Sequence, residues 1–194
     1  MPDIKIFKKD DFLYCGLTSE AYHSIRSKII ERNLDMIDTI STMVFFLGLL
    51  FLGVDAFLGR HDQLPYSVLV VGGLLLLIFR GYAKKNGDIL AWIYCYACIA
   101  TVFIYGIVLG IQPGKADDPS TSIVVFLALM PLLINDCPLR MGVMVGFFTV
   151  LYLIMSFRVK TPGAFETDVF NTLTFSVLGF FLYMAISNRN VKEI

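Results

Sequence analysis

The stretch Pro131-Leu-Leu-Ile-Asn-Asp-Cys-Pro-Leu-Arg-Met141 interrupts a long apolar region with two prolines, an Asn-Asp pair and an arginine. This composition predicts a tight reversal between two membrane helices. Asn135 suits the C-terminus of the first helix, because asparagine tolerates the left-handed conformation that is common there. Asp136 suits the N-cap of the second helix, where a carboxylate accepts backbone N–H groups. Pro138 falls in the first turn of that helix, where its missing N–H costs nothing.

Two further residues of the stretch have predicted roles. Pro131 should kink the end of the preceding helix or leave a carbonyl free for a polar neighbour. Arg140 marks the side of the membrane on which the turn lies, since basic residues are enriched in cytoplasmic loops. The structural turn is therefore predicted to consist of Pro131, Asn135, Asp136, Pro138 and Arg140.

The composition is that of an integral membrane protein. Of the 194 residues, 57% are hydrophobic and 16% are charged, and the mean hydropathy is +0.72. A soluble domain has roughly half apolar and about a quarter charged residues. The net charge is zero, so charge gives no indication of nucleic-acid binding. The chain is polar up to Asn33, so a cleavable signal peptide is not expected and the first apolar segment should act as an uncleaved anchor.

Six apolar segments predict an all-α bundle of six transmembrane helices, preceded by an N-terminal amphipathic helix that Thr18 should cap. This amphipathic helix would either lie on the membrane surface or run into the first span. Residues 1–17 are expected to be irregular. The second and fourth spans are short for the roughly 20 residues that a spanning helix needs, so one of them could be re-entrant instead. The spans are predicted at 36–58, 64–80, 88–111, 119–135, 138–157 and 168–187.

Basic residues give the predicted orientation, with both termini cytoplasmic. The outer side would have only Arg60, Lys115, Arg158 and Lys160. The domain organisation is then a cytoplasmic N-terminal segment at 1–35, a six-span membrane domain at 36–187 and the start of a cytoplasmic signalling helix at 188–194. The inner side takes the other twelve of the sixteen basic residues: Lys5, Lys8, Lys9, Arg26, Lys28, Arg32, Arg80, Lys84, Lys85, Arg140, Arg189 and Lys192.

The sequence contains no pattern that predicts catalysis, a metal site or a cofactor. His61-Asp62 is not accompanied by the further residues that a catalytic site needs, so the pair is interpreted as part of a solvated turn. Cys95 and Cys98 share one helix face, but further zinc ligands are missing from their span, so two packed core thiols are the better interpretation. No catalytic residue is assigned.

Polar groups inside membrane spans tend to be functional. If the outer halves of the spans converge, Asp55, Tyr105, Tyr152, Asn171 and Thr174 would form an outward-facing ligand pocket beneath the short loops. Asp168 and Thr172 lie in the same region of the last span. The alternative is that these are acids at helix ends and interfacial tyrosines that meet lipid headgroups.

Two small-residue motifs, Gly106-x-x-x-Gly110 and Gly142-x-x-x-Gly146, allow another helix to approach closely. The partner helix could belong to the same bundle or to a second protomer. Packing within the bundle is favoured, because such motifs are common in apolar helices.

Pro131, Asp136, Pro138 and Arg140, within PLLINDCPLRM, resemble a turn in a family of six-span bacterial membrane modules that precede GGDEF diguanylate cyclase domains. The segment CGLTSEAYHSIRSKIIERN at 15–33 is similar to the cytoplasmic preamble of that family. SNRNVKEI at 187–194 is similar to the point where the last span continues into the cyclase. The resemblance covers nearly the whole chain.

The resemblance implies a membrane sensor or regulatory input domain of the bacterial cytoplasmic membrane, which binds lipid and responds to an unidentified small-molecule or lipid stimulus. The signal would leave through Asn188, Arg189 and Asn190 to a cyclase that makes cyclic di-GMP, working as a homodimer through the parent protein. The catalytic GG[DE]EF loop has no counterpart in this sequence, so whether the chain is itself an enzyme stays open. The chain is expected to be part of a longer protein.

Two other classes of protein remain open. A small multi-pass transporter or channel usually has charged groups and broken helices near the membrane midplane, whereas the predicted span centres here are almost free of charge. A membrane-embedded enzyme would need an acid, a base and a nucleophile, and no such set is visible.

Overall fold

The computed structural model describes residues 9–59 and 63–194. Within these ranges the secondary structure is helical, with no strand. Lys5, Lys8, Arg60 and the His61-Asp62 pair lie outside the described residues. The α-helices are α1 Lys9–Leu13, α2 Ser19–Phe57, α3 Leu64–Lys85, α4 Asp88–Gly110, α5 Thr121–Leu129, α6 Pro138–Val159 and α7 Pro162–Lys192; the 3-10 helices are η1 Pro113–Lys115 and η2 Met130–Leu133.

Helix α2 is continuous across residues 19–57, so the segment predicted to be amphipathic runs into the first apolar segment without a break. Thr18 is its N-cap, as predicted: the hydroxyl oxygen accepts a hydrogen bond from the Ala21 N–H at 3.3 Å. Lys9–Leu13 is helical, contrary to the expectation that residues 1–17 are irregular. The turn between α1 and α2 contains Cys15 at φ 54°, the only non-glycine residue with positive φ in the part of the chain that the structure describes.

Five helices, α2, α3, α4, α6 and α7, are long and apolar enough to cross a membrane. The fourth predicted span forms the nine-residue α5 and the four-residue η2. Together these two helices are about 22 Å long, whereas the hydrocarbon core of a bilayer is about 30 Å thick. Pro131 lies where the α-helix gives way to the 3-10 helix, because proline cannot donate the next backbone hydrogen bond.

The bundle has two ends, named here after the buried carboxylates that lie at them. The Asp136 end contains the start of α2, α4 and α6 and the end of α3, η2 and α7. The Asp168 end contains the opposite termini of the same elements. Helix α7 extends from one end to the other and packs against both α5 and α6.

The outer surface of the bundle is apolar along its helices. Large side chains on α2, α3, α6 and α7 remain more than half exposed, for example Phe46, Ile78, Phe147 and Phe170. A continuous apolar surface of this kind is typical of a protein that faces lipid. The protein is therefore membrane-embedded.

Glycines bring helices into close contact inside the bundle. A Cβ at Gly179 on α7 would lie 2.8 Å from the Ala128 Cα of α5. Gly106 of the first small-residue motif packs against Phe126 and Ile123 of α5, so that motif works within the bundle, as favoured from the sequence. At Gly146 a Cβ would meet nothing within 4 Å.

Gly179→Ala should lower the free energy of unfolding by about 1–3 kcal/mol, because the added methyl meets backbone atoms that cannot move aside. Gly146→Ala is the matched control, since its methyl points into open space, and it should be neutral or slightly stabilising. Unfolding in mixed micelles, followed by circular dichroism, measures both. Equal stability of the two variants would contradict the close packing of α5 and α7.

Candidate functional site

The backbone of Asp136, in the irregular segment between η2 and α6, is hydrogen-bonded almost entirely by side chains from elsewhere. Its carbonyl oxygen accepts from the Tyr183 hydroxyl at 2.6 Å, the Ser187 hydroxyl at 3.1 Å and the Cys15 thiol at 3.4 Å. Its N–H donates back to the Tyr183 hydroxyl oxygen at 2.9 Å. Helix α7 and the turn before α2 are thus attached to one peptide group.

The side chain of Asp136 is completely buried and is bonded by a second set of groups. The Tyr22 hydroxyl donates to Oδ1 at 3.1 Å, and the Tyr96 hydroxyl donates to Oδ2. Arg140 Nη1 lies 3.4 Å from Oδ1. We call Asp136 and the groups that bond it the Asp136 cluster; it joins α2, α4, α6 and α7.

Asparagines extend this cluster to the neighbouring peptide. Asn33 of α2 donates through Nδ2 to the Asn135 carbonyl at 2.8 Å and accepts from the Asn135 N–H at 2.9 Å. Asn190 of α7 donates to the Asn135 side-chain oxygen at 3.0 Å. The Cys137 thiol donates to the Phe12 carbonyl of α1 at 3.0 Å. Three consecutive residues of the turn, 135–137, therefore bond residues of α1, α2, α4 and α7.

Burial governs the protonation of this region. Removal from water raises the pKa of the Asp136 carboxyl above its usual range, while the Tyr96 hydroxyl and Arg140 act in the opposite direction. Burial also raises the pKa of the Cys15 thiol to about 12. The thiol is therefore protonated at neutral pH, as its role as hydrogen-bond donor requires.

Two predicted details of the turn are wrong. Asp136 is not the N-cap of α6; the N-cap is Cys137, and no side chain makes a capping hydrogen bond there within the described residues. The backbone of Asn135 is not in the left-handed conformation. The preceding helix η2 ends at Leu133, and the next residue, Ile134, is extended. Pro138 does begin α6, as predicted. The Asp136 side chain is bonded by Tyr22 and Tyr96 of other helices and by Arg140 of α6, and the Asn135 side chain is bonded by Asn190 of α7.

A second buried carboxylate, Asp38, connects α2, α3 and α4. Arg80 Nη2 lies 3.1 Å from its Oδ2, and the Lys84 ammonium contacts the same oxygen. The Tyr94 hydroxyl donates to Oδ1 at 3.1 Å and shares a hydrogen bond of 2.8 Å with the Ser41 hydroxyl. We call this the Asp38 cluster. Both of its cations are partly exposed, so the ion pairs lie at the boundary of the bundle.

A third carboxylate, Asp168 on α7, connects the other three helical segments at the opposite end. Lys160 Nζ lies 3.2 Å from Oδ2, and both side chains are buried. The Ser156 hydroxyl donates to Oδ2 at 2.9 Å, as does the Tyr152 hydroxyl, and the Ser120 N–H before α5 donates to Oδ1 at 2.7 Å. We call this the Asp168 cluster. Its carboxylate is fully bonded by protein groups.

The five residues predicted to form a pocket lie in different surroundings. Tyr152 is in the Asp168 cluster, as just described. Tyr105 packs against Tyr66 and Phe126 and lines an apolar cavity of about 370 Å³ with residues of α2, α3, α5 and η2. Asp55 is buried near the end of α2, where Oδ2 has no hydrogen-bond partner within residues 9–59 and 63–194.

The remaining two, Asn171 and Thr174, are half-buried on α7. Beside them on the same helix, Ser176 shares a hydrogen bond of 2.8 Å with Thr149 of α6. Polar groups therefore lie along α7 between the Asp168 and Asp136 clusters, and Ser176 bonds α6.

The predicted output residues lie at the Asp136 end of α7. Asn190 bonds Asn135, as described above, and Arg189 Nε lies 3.0 Å from the exposed Glu193 carboxylate. Asn188 has a buried side-chain oxygen without a partner in the described chain. Of these three residues, Asn190 is bonded to the turn, whereas Arg189 is paired within the C-terminal end of the chain.

The remaining sequence motif, Cys95-x-x-Cys98, lies in the core of the bundle with both thiols buried and free.

Several residues of these clusters were not predicted as functional. Asp38 is an acid inside the first predicted span, and Arg80 and Lys84 share one face of α3 four residues apart, so the ion pairs could have been inferred. Tyr96 and Tyr183 give no such signal, because tyrosine is common in membrane helices. Their partners follow from the tertiary packing alone.

Asn33→Leu should lower the free energy of unfolding by about 2 kcal/mol or more, because two backbone groups of Asn135 would lose their partners in a buried place. Asn86→Leu, at an exposed asparagine with one local hydrogen bond, is the control and should have little effect. Unfolding in mixed micelles measures the difference. Similar stability for both variants would show that the two hydrogen bonds between Asn33 and the Asn135 backbone contribute little to the stability of the fold.

Asp168→Leu should destabilise the protein by roughly 3–5 kcal/mol, since it leaves the buried Lys160 ammonium without its counter-charge. Adding Lys160→Met should recover a large part of that loss. A double-mutant cycle on the free energy of unfolding tests this. Losses that simply add would mean that the two side chains do not depend on each other.

No known protein-family model, curated protein or solved structure matches this chain. Its function is therefore proposed from the arrangement of these three clusters and from the sequence.

Proposed function

We propose that this chain is a membrane signal-input module, in which a stimulus moves α7 and α7 transmits the movement to a cytoplasmic output domain. The observation that supports this most directly is that α7 is a single unbroken helix bonded into two buried polar clusters. Asp168 lies in one of them, and Tyr183, Ser187 and Asn190 lie in or beside the other.

The geometry suits transmission over a distance. Asp168 and Asn190 are separated by about 33 Å along the axis of a regular helix. A rotation or shift of a stiff helix displaces both of its ends. At the Asp136 end such a movement exchanges or breaks specific hydrogen bonds, which gives two distinct arrangements and not a continuous range.

The membrane topology belongs to the same proposal. The chain crosses the bilayer six times, with α5 and η2 as a short crossing, and both termini are cytoplasmic. The basic residues support this orientation, because Arg26, Arg32, Arg80, Lys84 and Arg140 all belong to segments at the Asp136 end. The bilayer is the bacterial cytoplasmic membrane.

The nature of the output domain rests on the sequence resemblance of the 131–141 turn and of the segments at 15–33 and 187–194. On this basis the output domain is a GGDEF diguanylate cyclase in a longer parent protein, which forms a homodimer and produces cyclic di-GMP. The stimulus is a small molecule or lipid that binds the bundle, and the bundle regulates the cyclase through residues 188–190.

A change confined to the Asp168 end should be measurable at the Asp136 end if α7 transmits movement. Spin labels at Lys85→Cys on α3 and Arg189→Cys on α7 report the distance between these helix ends, and both native side chains are exposed. Asp168→Asn should shift or broaden the distance distribution measured by double electron–electron resonance in lipid nanodiscs. Lys115→Gln, an exposed cation at the same end, is the control and should leave the distribution unchanged.

An unchanged distribution in the properly folded Asp168→Asn protein would refute transmission along α7. Rapid, saturable uptake of a solute by proteoliposomes that contain only this chain would instead favour a transporter or channel.

A further inference from the structure

A groove between α4 and α6 lies at the Asp136 end. Tyr96 and Arg140 of the Asp136 cluster contribute to its lining, and its other lining residues belong to none of the three clusters. It has a volume of about 630 Å³. Arg26 and Arg140 lie at its mouth with Trp92, and Ile93, Ala100 and Met144 form the apolar wall that continues toward the membrane interior. The ring contact between Phe103 and Phe148, with centroids 5.0 Å apart, joins the two helices just beyond Ala100 and Met144. The groove therefore runs about 12 Å along α4 from its mouth.

The two arginines at the mouth have unused hydrogen-bond donors. Arg26 Nε is 3.8 Å from Asp88, and Arg140 Nη1 is 3.4 Å from Asp136. A guanidinium has five N–H donors, so each loose ion pair leaves most of them unused. Both side chains are partly exposed, at 33% and 52% of their surface. Their unused N–H groups can donate hydrogen bonds to an anionic oxygen while Arg140 keeps its contact with Asp136.

Trp92 supplies an independent indication of a missing partner. The residue is only 7% exposed, and its indole Nε1 is buried with no acceptor in the described chain. The Arg140 guanidinium lies 6.0 Å from the centre of the indole ring. A ligand oxygen that accepts from this N–H would remove the cost of an unsatisfied buried donor.

We propose that this groove binds one phospholipid with an anionic headgroup. The headgroup oxygens lie between Arg26 and Arg140, and an acyl chain lies along Ile93, Ala100 and Met144. A lipid fits better than a soluble anion, because the wall below the arginines is apolar and Ile93 is half exposed toward the bilayer. None of the residues that line this site lies on α7.

The sequence offers a direct probe, since Trp92 is the only tryptophan in the chain. Its fluorescence is quenched on contact by brominated acyl chains. In phosphatidylcholine vesicles that contain the full chain, a minor fraction of brominated phosphatidylglycerol should quench Trp92 more strongly than the same fraction of brominated phosphatidylcholine. The preference corresponds to an occupancy about threefold higher or more, as expected for basic side chains near a lipid surface.

Arg26→Gln should remove most of this preference, and it leaves the Asp136 cluster untouched. Arg32→Gln, which removes an equal charge from an exposed position on the same helix, should keep it. Ala100→Phe fills the apolar part of the groove and should reduce quenching by both lipids. Circular dichroism confirms that each variant is folded.

Equal quenching by the two brominated lipids in the unmodified protein would overturn the proposal. So would an equal preference in the Arg26→Gln and Arg32→Gln proteins. If glycerol phosphate abolishes the preference at millimolar concentration, the site recognises a free phosphate ester without its chain, and a lipid site is refuted.

Discussion

The peptide group of Asp136 is the constraint on which the rest of the bundle depends. An irregular segment inside a membrane-embedded protein leaves backbone groups that lipid cannot bond. Here the carbonyl oxygen of Asp136 has three side-chain donors, and its N–H is bonded by Tyr183. Those donors come from α7 and from the turn before α2, so the need to satisfy one peptide fixes the relative positions of elements far apart in the sequence.

The three buried carboxylates divide the bundle into two halves. Asp38 joins α2, α3 and α4, and Asp168 joins the segments around α5, α6 and α7. Asp38 and Asp168 each have a cation nearby that compensates the buried charge. Asp136 is bonded from both halves, by Tyr22 and Tyr96 on one side and by Tyr183 and Arg140 on the other. Asp136 therefore adds polar bonds between the two halves to the apolar packing of α4 against α5 and α6.

Hydropathy and turn chemistry predicted the long helices well, because the apolar segments have clear boundaries at charged or glycine- and proline-containing loops. The Thr18 cap and the position of Pro138 follow from local rules and were correct. The role of Asp136 was not predictable in the same way. Local preference predicts a helix cap, but the carboxylate oxygens are bonded by Tyr22 and Tyr96, which are distant in the sequence, and by Arg140. The predicted pocket likewise assumed that polar groups at one membrane depth converge, whereas the helices turn Tyr105 and Tyr152 toward different neighbours.

The brevity of α5 and η2 has a consequence for the surrounding bilayer. In the proposed six-span topology, α5 and η2 form an apolar crossing of about 22 Å, which is shorter than a hydrocarbon layer of about 30 Å. Hydrophobic mismatch of this kind costs fractions of a kcal/mol for each ångström, and it is relieved where the lipid layer thins. In that topology, the flank of the bundle at α5 and η2 would deform the lipid beside it, and the energy of the folded protein would depend on the thickness and stiffness of the membrane.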